Sequence, residues 1–314
     1  MNILITGGAG FIGSNLINSL LQKGHKVIVF DTLSHGEKNL LSQNVYNPLL
    51  KFLKIDLLNN RQLHHNLPSN IDLVFHLAAN SDIAKSAVNP EIDFKNTTLA
   101  TFNLLCEMKT KGIKKIFYTS GSGIYGDTGK KFTPENYGPL LPTSMYGATK
   151  LSAESMISAF SKLFDIQAWI IRPANIIGPN LTHGVVYDLI KKLNQDPTCL
   201  EILGDGKQSK SYLYISDVID AIYLILKKAK KFINIFNVST DTYISVDQIA
   251  KIIIREMGLK NVKIHYSGGR IGWKGDIPIV RIKNTKLKKI GWKPKYSSSQ
   301  AVINTVRDLL GKEI

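Results

Sequence analysis

The segment from residue 1 to Asp31 constrains the fold more than any other part of the chain. An apolar run at residues 2–6 leads directly into a glycine-rich loop at residues 7–13. Because this run starts at residue 2, a signal peptide is not expected. A helix-forming stretch at residues 14–23 follows, and a second apolar run at residues 26–30 ends at Asp31. This order of strand, glycine loop, helix, strand and acid is typical of a unit that holds a dinucleotide pyrophosphate at a helix N-terminus.

The loop and the acid indicate which cofactor is bound. Glycines allow backbone N–H groups to approach phosphates closely. We expect cofactor contacts from Gly7, Gly10, Phe11, Ile12 and Gly13. Asp31 lies about 20 residues beyond the loop, where a carboxylate binds the adenosine ribose hydroxyls. An acid there repels a 2′-phosphate, so NAD is expected rather than NADP. A glycine-rich turn of an ordinary α/β protein and a strand-end cap at Asp31 are the alternatives.

A second pattern, Tyr146 followed by Lys150, provides candidate acid/base groups. Residues four apart share one face of a helix, so the ammonium can lie near the phenol. A free phenol has a pKa near ~10, and bringing it to about 7 takes roughly 4 kcal/mol. One cation at ~4 Å in an effective dielectric of about 20 supplies energy of that order. An oxidised nicotinamide would add a second positive charge. The spacing also arises by chance in many helices, but together with the glycine loop it predicts an acid/base tyrosine.

These motifs resemble those of the extended short-chain dehydrogenases/reductases, and among them the nucleotide-sugar epimerase/dehydratase group. The resemblance covers nearly the whole chain. Further motifs follow in the family's order at residues 54–57, 74–79, 96–105, 117–127 and 171–179. The resemblance implies additional NAD contacts from Asp56, Leu57, Leu77, Ala78, Ala79 and Asn96.

Strands alternate with helices along the first half of the chain. Strands are predicted at residues 2–6, 26–30, 50–55, 72–77, 114–119 and 166–171, and helices at 11–23, 59–66, 92–111 and 144–163, with a shorter turn near 82–88. This alternation predicts an α/β fold with a Rossmann-type doubly wound parallel sheet. We expect a NAD-binding domain at residues 1–172, joined by a late strand near 234–238. A smaller nucleotide-sugar-binding lobe is expected at residues 173–314, covered by helices near 245–256 and 299–312.

The loop at residues 117–127 resembles the one that carries a catalytic hydroxyl in this family. Many members have Ser or Thr four residues before the tyrosine that closes the loop, here Tyr125, but Gly121 stands at that position. Ser120 and Ser122 flank it, and Ser120 is the preferred candidate. Either hydroxyl could instead bond the loop backbone. The Asp-Glu pair of family dehydratases and the Glu of decarboxylases are both missing from residues 121–124 of this loop.

Without an additional acid, the simplest chemistry is reversible oxidation at one carbon of a UDP-sugar. Tyr146 would take a proton from a sugar hydroxyl while hydride leaves the same carbon for NAD. Lys150 would lower the pKa of the tyrosine and hydrogen-bond the nicotinamide ribose, so both residues are expected to contact the cofactor. Return of the hydride to the other face of a 4-keto sugar gives 4-epimerisation. A 4-ketoreductase or a dehydratase of the same family is the alternative. A non-catalytic member would typically lose Tyr146 or Lys150, and both are present.

The second half of the chain carries residues that the resemblance assigns to the sugar nucleotide. Asn175 resembles an Asn beside the diphosphate, and Val185 opens a helix whose N-terminus suits an anion. Lys210 stands where the family usually has Arg, which keeps the charge but loses the bidentate fork. Arg270 is a candidate replacement. A turn cap at Asn175 and a surface charge at Arg270 are the alternatives.

The closing segment at residues 268–280 includes two more substrate candidates, Asp276 and Val280. In related epimerases a bulky residue at the position of Val280 closes the sugar pocket against an N-acetyl group. Because valine is small, we expect the N-acetylhexosamine pair to be accepted as well as UDP-glucose and UDP-galactose.

Composition is consistent with a cytoplasmic enzyme. Cys106 and Cys199 are the only two cysteines, which argues against a disulfide framework, and no metal-ligand spacing of Cys and His is present. No apolar run reaches the ~20 residues of a membrane span. The net charge of +16 is interpreted as a solvated surface or a field that attracts a sugar diphosphate, and neither nucleic acid nor a membrane is expected as a partner. The family resemblance implies a homodimer, for which the helices at 92–111 and 144–163 are the candidates.

Overall fold

The computed structural model gives the chain as two compact units. It describes residues 1–34, 41, 44, 46–80, 86–273 and 275–311, so the turn predicted near 82–88 lies mostly outside the described residues. The first unit consists of Met1–Gly121, Met145–Arg172 and Ile225–Ile235, and the second of Ser122–Ser144, Pro173–Leu224 and Phe236–Ile314.

The helices and strands follow the predicted order. The strands are β1 (Asn2–Thr6), β2 (Lys26–Asp31), β3 (Leu50–Lys54), β4 (Leu73–His76), β5 (Lys115–Thr119), β6 (Gln167–Pro173), β7 (Asn175–Ile177), β8 (Cys199–Ile202), β9 (Ser209–Lys210), β10 (Tyr212–Tyr214), β11 (Ile233–Val238), β12 (Ile244–Ser245) and β13 (Lys263–Tyr266). The helices are α1 (Phe11–Gln22), α2 (Asn60–Asn66), α3 (Ala100–Lys111), α4 (Met145–Phe164), α5 (Val185–Gln195), α6 (Ile215–Lys228), α7 (Val246–Glu256), α8 (Thr285–Lys289) and α9 (Ser298–Leu309). A helical turn at Glu91–Asp93 and a π-helical turn at Phe94–Leu99 lead directly into α3.

The first unit is built on a seven-stranded sheet with the order β11-β6-β5-β4-β1-β2-β3. Neighbouring strands from β3 to β6 run parallel. The predicted Rossmann-type parallel sheet is therefore confirmed. Strand order reverses between β1 and β4, and in such sheets ligands bind at the carboxyl ends of the strands beside that reversal. The glycine loop, which follows β1, lies at this point.

Burial on both faces explains why the central strands are continuous apolar runs. Ile3, Leu4 and Ile5 of β1 are fully buried. On one face, Leu104 of α3 and Ile157 of α4 belong to the same buried cluster as Leu4. Replacing such a side chain by alanine costs about 2–5 kcal/mol. This packing holds α4 firmly against the sheet.

The second unit contains three two-stranded sheets, β7–β10, β8–β13 and β9–β12. Residues 122–144 belong to it, although the sequence-based division placed them with residues 1–172. The reason is a set of long-range bonds within the second unit, such as those that the backbone of Thr133 makes with Arg281 and Lys283. In the described part of the chain, no helix combines the length and the apolar character needed to cross a membrane.

Candidate active site

The glycine loop of the first unit is so tightly closed that side chains do not fit. Gly7 has a φ of +71°, and a Cβ added there would lie 2.7 Å from the backbone N and Cα of Ala78. A Cβ on Gly13 would lie 2.6 Å from both the carbonyl oxygen of Gly7 and the Cα of Gly8. These separations are shorter than real Cβ atoms show, so the loop conformation requires glycine at both positions.

The start of α1 offers free backbone donors directly after this loop. Helix α1 begins with Phe11 and Ile12, and among the described residues no side chain caps its N-terminus at Gly10. The first turn carries no acidic residue. Unpaired N–H groups and the helix dipole favour an anion at such an end. The loop therefore fits the pyrophosphate of a dinucleotide.

Asp31 ends β2 with its carboxylate fixed against the same loop. Its Oδ2 accepts a hydrogen bond from the N–H of Ala9 at 2.9 Å, and its Oδ1 accepts one from the N–H of Leu33 at 2.8 Å. Leu33 adopts a φ of +61°, so the chain turns sharply after the strand. The acid thus lies where the glycine loop and the second strand meet.

The segment after β4 lies against the glycine loop. The Leu77 N–H donates to the carbonyl oxygen of Thr6 at 3.1 Å, and the Ala78 N–H donates to the Thr6 hydroxyl at 3.4 Å. Ala79 continues the segment and is partly buried. The structure therefore brings two of the predicted NAD contacts, Leu77 and Ala78, beside Gly7.

Asp56, Leu57 and Asn96 are engaged elsewhere. The Asp56 carboxylate accepts from the Leu58 N–H at 2.8 Å. Leu57 is buried, and its carbonyl oxygen accepts from the Asn103 amide at 2.9 Å. Asn96 is exposed, and its amide donates to a backbone carbonyl of its own helical turn. Contacts of these three residues with NAD stay predictions.

Tyr146 and Lys150 lie one turn apart on α4. Lys150 is 3% exposed, and its Nζ donates to the carbonyl oxygen of Thr119, at the end of β5, at 2.8 Å. The same Nζ lies 5.0 Å from the ring centroid of Tyr118 and 5.6 Å from that of Tyr146. The ammonium therefore bonds the sheet and faces both rings.

The pKa values of this pair reflect burial more than mutual attraction. Burial raises the pKa of Tyr146 to about 12, and the negative charge of Asp93 adds to the rise. Burial lowers the pKa of Lys150 to about 8, while the charges of Asp93 and Glu154 oppose the fall. Without cofactor, the pKa of Tyr146 is therefore raised above the value of a free phenol. Its lowering by Lys150 together with the oxidised nicotinamide stays a prediction.

Ser120 is a buried hydroxyl directly after β5. Its backbone N–H donates to the Ile171 carbonyl oxygen at 2.9 Å, whereas its Oγ has no hydrogen-bond partner among the described residues. A Cβ added at the next residue, Gly121, would lie 3.6 Å from Cε1 and 3.7 Å from the hydroxyl oxygen of Tyr146. Buried hydroxyls are normally bonded. Ser120 therefore has a donor to offer to a ligand, in a segment that passes beside Tyr146.

Ser122 belongs to the second unit, where it starts a tight 3₁₀ turn that ends at Tyr125. The Tyr125 hydroxyl donates to Oδ1 of Asn237 at 2.8 Å, and the Asn237 amide donates to the carbonyl oxygens of Thr133 and Lys283, both at 3.0 Å. This buried network fixes the turn. Ser122 is partly exposed, so water can bond its hydroxyl. The buried hydroxyl of Ser120, in contrast, needs a hydrogen-bond partner from a ligand.

In the second unit, Lys210 and Asp276 form an ion pair. The Lys210 Nζ lies 2.7 Å from Oδ1 of Asp276, whose side chain is 6% exposed. The Gly272 N–H donates to the other carboxylate oxygen at 3.3 Å. Two predicted substrate residues are thus brought together, and the charge of Lys210 is partly balanced within the protein.

Val280 lies beside Lys210 because the Val280 N–H donates to the carbonyl oxygen of Ser209 at 3.4 Å. The guanidinium of Arg281 reinforces this arrangement. Its Nη1 donates to the Ser209 carbonyl at 2.9 Å, its Nη2 donates to the Ser209 hydroxyl at 3.1 Å, and its Cζ lies 3.8 Å from the ring centroid of Tyr243.

Asn175, Val185 and Arg270 occupy three other positions of the second unit. Asn175 begins β7, pairs with Tyr212 of β10 and bonds its buried phenol. Val185 is the first residue of α5, after Gly184 with its φ of +92° and without a side-chain cap among the described residues. Arg270 is exposed, after β13. Their contacts with substrate stay predictions.

Sequence reasoning missed two features near Tyr146 and Lys150. One is Asp93, which is fully buried, and the other is the buried ion pair between Glu154 and Arg172, with Nη2 at 2.7 Å from Oε2. No sequence spacing predicts either feature, because each depends on side chains that folding brings together from distant segments. The motif at residues 171–179 contains Arg172, but it does not indicate that Glu154 is the partner of this arginine.

The sequence profile of the NAD dependent epimerase/dehydratase family matches residues 3–239. The chain belongs to this family. It is 31% identical to a putative UDP-glucose 4-epimerase of Methanocaldococcus jannaschii over 97% of each chain. The crystal structure of a Thermotoga maritima UDP-glucose 4-epimerase with UDP-glucose superimposes with a TM-score of 0.89 at 32% identity, covering 99% of both chains.

The family and its structures establish NAD as the cofactor. A Thermus thermophilus UDP-glucose 4-epimerase in complex with NAD has a TM-score of 0.87 at 27% identity, covering 99% of both chains. The glycine loop and Asp31 fit this group, as their geometry shows. The chain is thus an enzyme of a family that acts on nucleotide sugars. Relatives at similar identity also include a dTDP-D-glucose 4,6-dehydratase of Dictyostelium discoideum and a UDP-glucuronic acid decarboxylase of Arabidopsis thaliana.

Proposed function

We propose that the enzyme is a UDP-sugar 4-epimerase. The observation that carries the proposal is the Tyr146/Lys150 pair with Gly121 beside the Tyr146 ring. The sequence at residues 121–124, Gly-Ser-Gly-Ile, supplies no carboxylate. An acid in that loop would be needed to eliminate water or to assist loss of carbon dioxide. A tyrosine with a single hydroxyl donor is sufficient for reversible oxidation of an alcohol.

The residues divide this chemistry as follows. NAD, held by the glycine loop and Asp31, would supply the hydride acceptor and donor for the sugar carbon. Tyr146 holds the proton of the reacting hydroxyl, and Lys150 supplies the positive charge that stabilises the phenolate. Ser120 donates its unpartnered hydroxyl to the reacting oxygen. Ser122 is the second candidate for this donor.

We propose a UDP-sugar because the names of the T. maritima and M. jannaschii proteins contain UDP-glucose, and because the residues that the family resemblance assigns to the sugar nucleotide include cationic and polar side chains. Lys210 contributes a charge near the diphosphate, held by Asp276, and Arg270 contributes another from its exposed position. Asn175 and the N-terminus of α5 at Val185 provide hydrogen bonds. The small side chain of Val280 supports acceptance of N-acetylhexosamines as well as hexoses.

The test uses purified enzyme with UDP-galactose or UDP-N-acetylgalactosamine and no added nicotinamide, with products identified by NMR. Conversion to the gluco epimer is expected, together with its loss in Tyr146→Phe. Tyr46→Phe is the matched control, because it removes the same hydroxyl from a side chain that is 95% exposed. Activity on the non-acetylated sugar alone would contradict the role of Val280.

A 4-ketoreductase or a dehydratase is the rival function. A ketoreductase would show no conversion in this assay but would reduce a 4-keto sugar when NADH is supplied. A dehydratase would form a 4-keto-6-deoxy product, which has a distinct NMR spectrum. Either result would replace the epimerase proposal while leaving the family unchanged.

We also propose a homodimer and a cytoplasmic location. Apolar side chains are exposed along the candidate helices, including Phe102 at 44% and Leu163 at 70%. Light scattering of the wild-type protein is expected to give the mass of a dimer. Leu163→Glu is expected to weaken the dimer and so to lower the measured mass. A monomeric wild-type protein would contradict this part of the proposal.

A further inference from the structure

Arg281 directly follows the closing segment (residues 268–280), and its guanidinium joins three parts of the second unit. Its Nη1 donates to the carbonyl oxygens of Ser209 at 2.9 Å and Val280 at 3.0 Å. Its Nη2 donates to the Ser209 hydroxyl at 3.1 Å, and its Cζ lies 3.8 Å from the ring centroid of Tyr243. Ser209 begins β9, Val280 ends the closing segment, and Tyr243 directly precedes β12. One side chain therefore connects all three.

The backbone holds the end of the closing segment to β9 less tightly than the guanidinium does. The Ser209 N–H donates to the Pro278 carbonyl oxygen at 2.7 Å, but the Val280 N–H is 3.4 Å from the Ser209 carbonyl oxygen that it bonds. Well-formed bonds of this type are about 2.7–3.2 Å long. Arg281 donates to the same Ser209 oxygen at 2.9 Å. The shorter bonds at this end of the segment thus come from the side chain.

These contacts require the shape of an arginine as well as its charge. A planar guanidinium can donate several hydrogen bonds while it stacks on an aromatic ring, whereas a lysine ammonium is a point charge. The ring of Tyr243 is in turn met edge-on by Phe132, with ring centroids 6.1 Å apart. Within the described residues no carboxylate pairs with Arg281. Hydrogen bonds and stacking, rather than an ion pair, therefore fix its position.

Lys210 also joins β9 to the closing segment, through its ion pair with Asp276 at 2.7 Å. This link differs from that of Arg281, because a phosphate of the substrate would compete with Asp276 for the ammonium. The printed contacts of the Arg281 guanidinium are all with protein groups. Binding of an anion at Lys210 therefore leaves Arg281 to hold Val280.

We propose that Arg281 is a positioning residue of the sugar-nucleotide site: its guanidinium holds Val280 to Ser209 and so fixes Val280 relative to Lys210. The inference rests on the proposed function, which assigns Val280 and Lys210 to the substrate. Binding groups have to be held to within about 0.5 Å of their productive positions, which is why such support affects affinity.

The test compares Arg281→Lys with Arg281→Met, both in a Tyr146→Phe background that prevents turnover. Lysine keeps the charge but loses the fork and the stacking, and methionine loses all three. By calorimetric titration, UDP-galactose is expected to bind about tenfold more weakly to both variants, the effect of losing about one hydrogen bond from a charged group. Background affinity in Arg281→Lys would mean that charge alone matters and would overturn the inference.

Arg255→Met in the same background is the matched control, since it removes an arginine that is 63% exposed on α7 of the same unit. It is expected to leave UDP-galactose affinity unchanged. Denaturant unfolding of each variant identifies a purely structural role: lower stability with unchanged affinity would also overturn the inference. If Arg281→Met does not fold, Tyr243→Leu, which removes the stacking alone, is expected to weaken binding in the same direction.

Hydrogen exchange of the free protein separates this inference from the proposed function. In peptides that cover residues 276–283, exchange is expected to be faster in Arg281→Lys and Arg281→Met than in wild type or Arg255→Met, because the segment is held less tightly. If the background protein binds no UDP-galactose, the proposed function fails, while the exchange rates still decide whether Arg281 positions Val280. Equal exchange rates in folded variants would overturn the inference.

Discussion

Gly13→Ala tests whether the glycine loop is shaped for a dinucleotide. The added Cβ would lie 2.6 Å from the Gly7 carbonyl oxygen and the Gly8 Cα, and 2.8 Å from the Gly8 carbonyl oxygen. Real Cβ atoms stay beyond 3.0 Å, so the loop backbone has to move by at least 0.4 Å, the difference between 3.0 and 2.6 Å. Such overpacking costs about 1–3 kcal/mol, while alanine in a helix recovers about 1 kcal/mol.

The moving atoms belong to the proposed pyrophosphate cradle, so cofactor affinity should change more than stability. We expect NAD to bind at least about tenfold more weakly, which corresponds to ~1.4 kcal/mol. Calorimetric titration of protein from which bound NAD has been removed measures the affinity, and denaturant unfolding measures the stability.

Gly24→Ala, just beyond the other end of α1, is the matched control. The added Cβ would have no atom within 4 Å, but Gly24 has a φ of +75°, which disfavours alanine. The substitution should therefore cost about 1–2 kcal/mol of stability without changing NAD affinity. Wild-type affinity in a folded Gly13→Ala would refute the reasoning.

Three further predictions concern the same unit. Ser120→Ala should lower kcat by about 100-fold, because a donor to the reacting oxygen is lost; an equal or larger loss in Ser122→Ala would move the role to Ser122. Arg172→Met should destabilise the protein by about 3–5 kcal/mol in denaturant unfolding, because it leaves the buried Glu154 carboxylate without its partner; wild-type stability would contradict this. Burial lowers the pKa of Lys150 to about 8 in the folded chain, from 10.5 for a free side chain. The unfolded chain therefore binds more protons between these two pH values, and the stability attributable to Lys150 should rise with pH across that range. Denaturant unfolding at several pH values should therefore show a smaller upward slope in Lys150→Met than in wild type, and equal slopes would refute the assignment.

Local sequence patterns were sufficient to predict the sheet and the cofactor loop. The runs at β1 and β2 are apolar because their strands are buried on both faces, and glycine at residues 7 and 13 follows from a loop with no space for Cβ atoms. The spacing of Tyr146 and Lys150 likewise follows from one helix. Each of these signals is contained within a short segment, so a single sequence can reveal it.

The electrostatics of the site could not be predicted in this way. The pKa of Tyr146 rises because of burial and because of Asp93, which comes from a segment more than fifty residues earlier in the chain. The Lys210–Asp276 ion pair joins residues 66 apart. Residues 122–144 belong to the second unit through bonds such as Tyr125 to Asn237, 112 residues apart. Such pairings depend on the folded chain and leave no periodic signal.

The most direct test of the central claim follows the hydrogen atom at the reacting carbon. UDP-galactose carrying deuterium at C4 is incubated with the enzyme in ordinary water without added nicotinamide, and the product is examined by NMR and mass spectrometry. Return of the same hydride from bound NAD predicts UDP-glucose that retains deuterium at C4. Product that has lost its deuterium to solvent, or no product until NADH is added, would contradict 4-epimerisation by this enzyme.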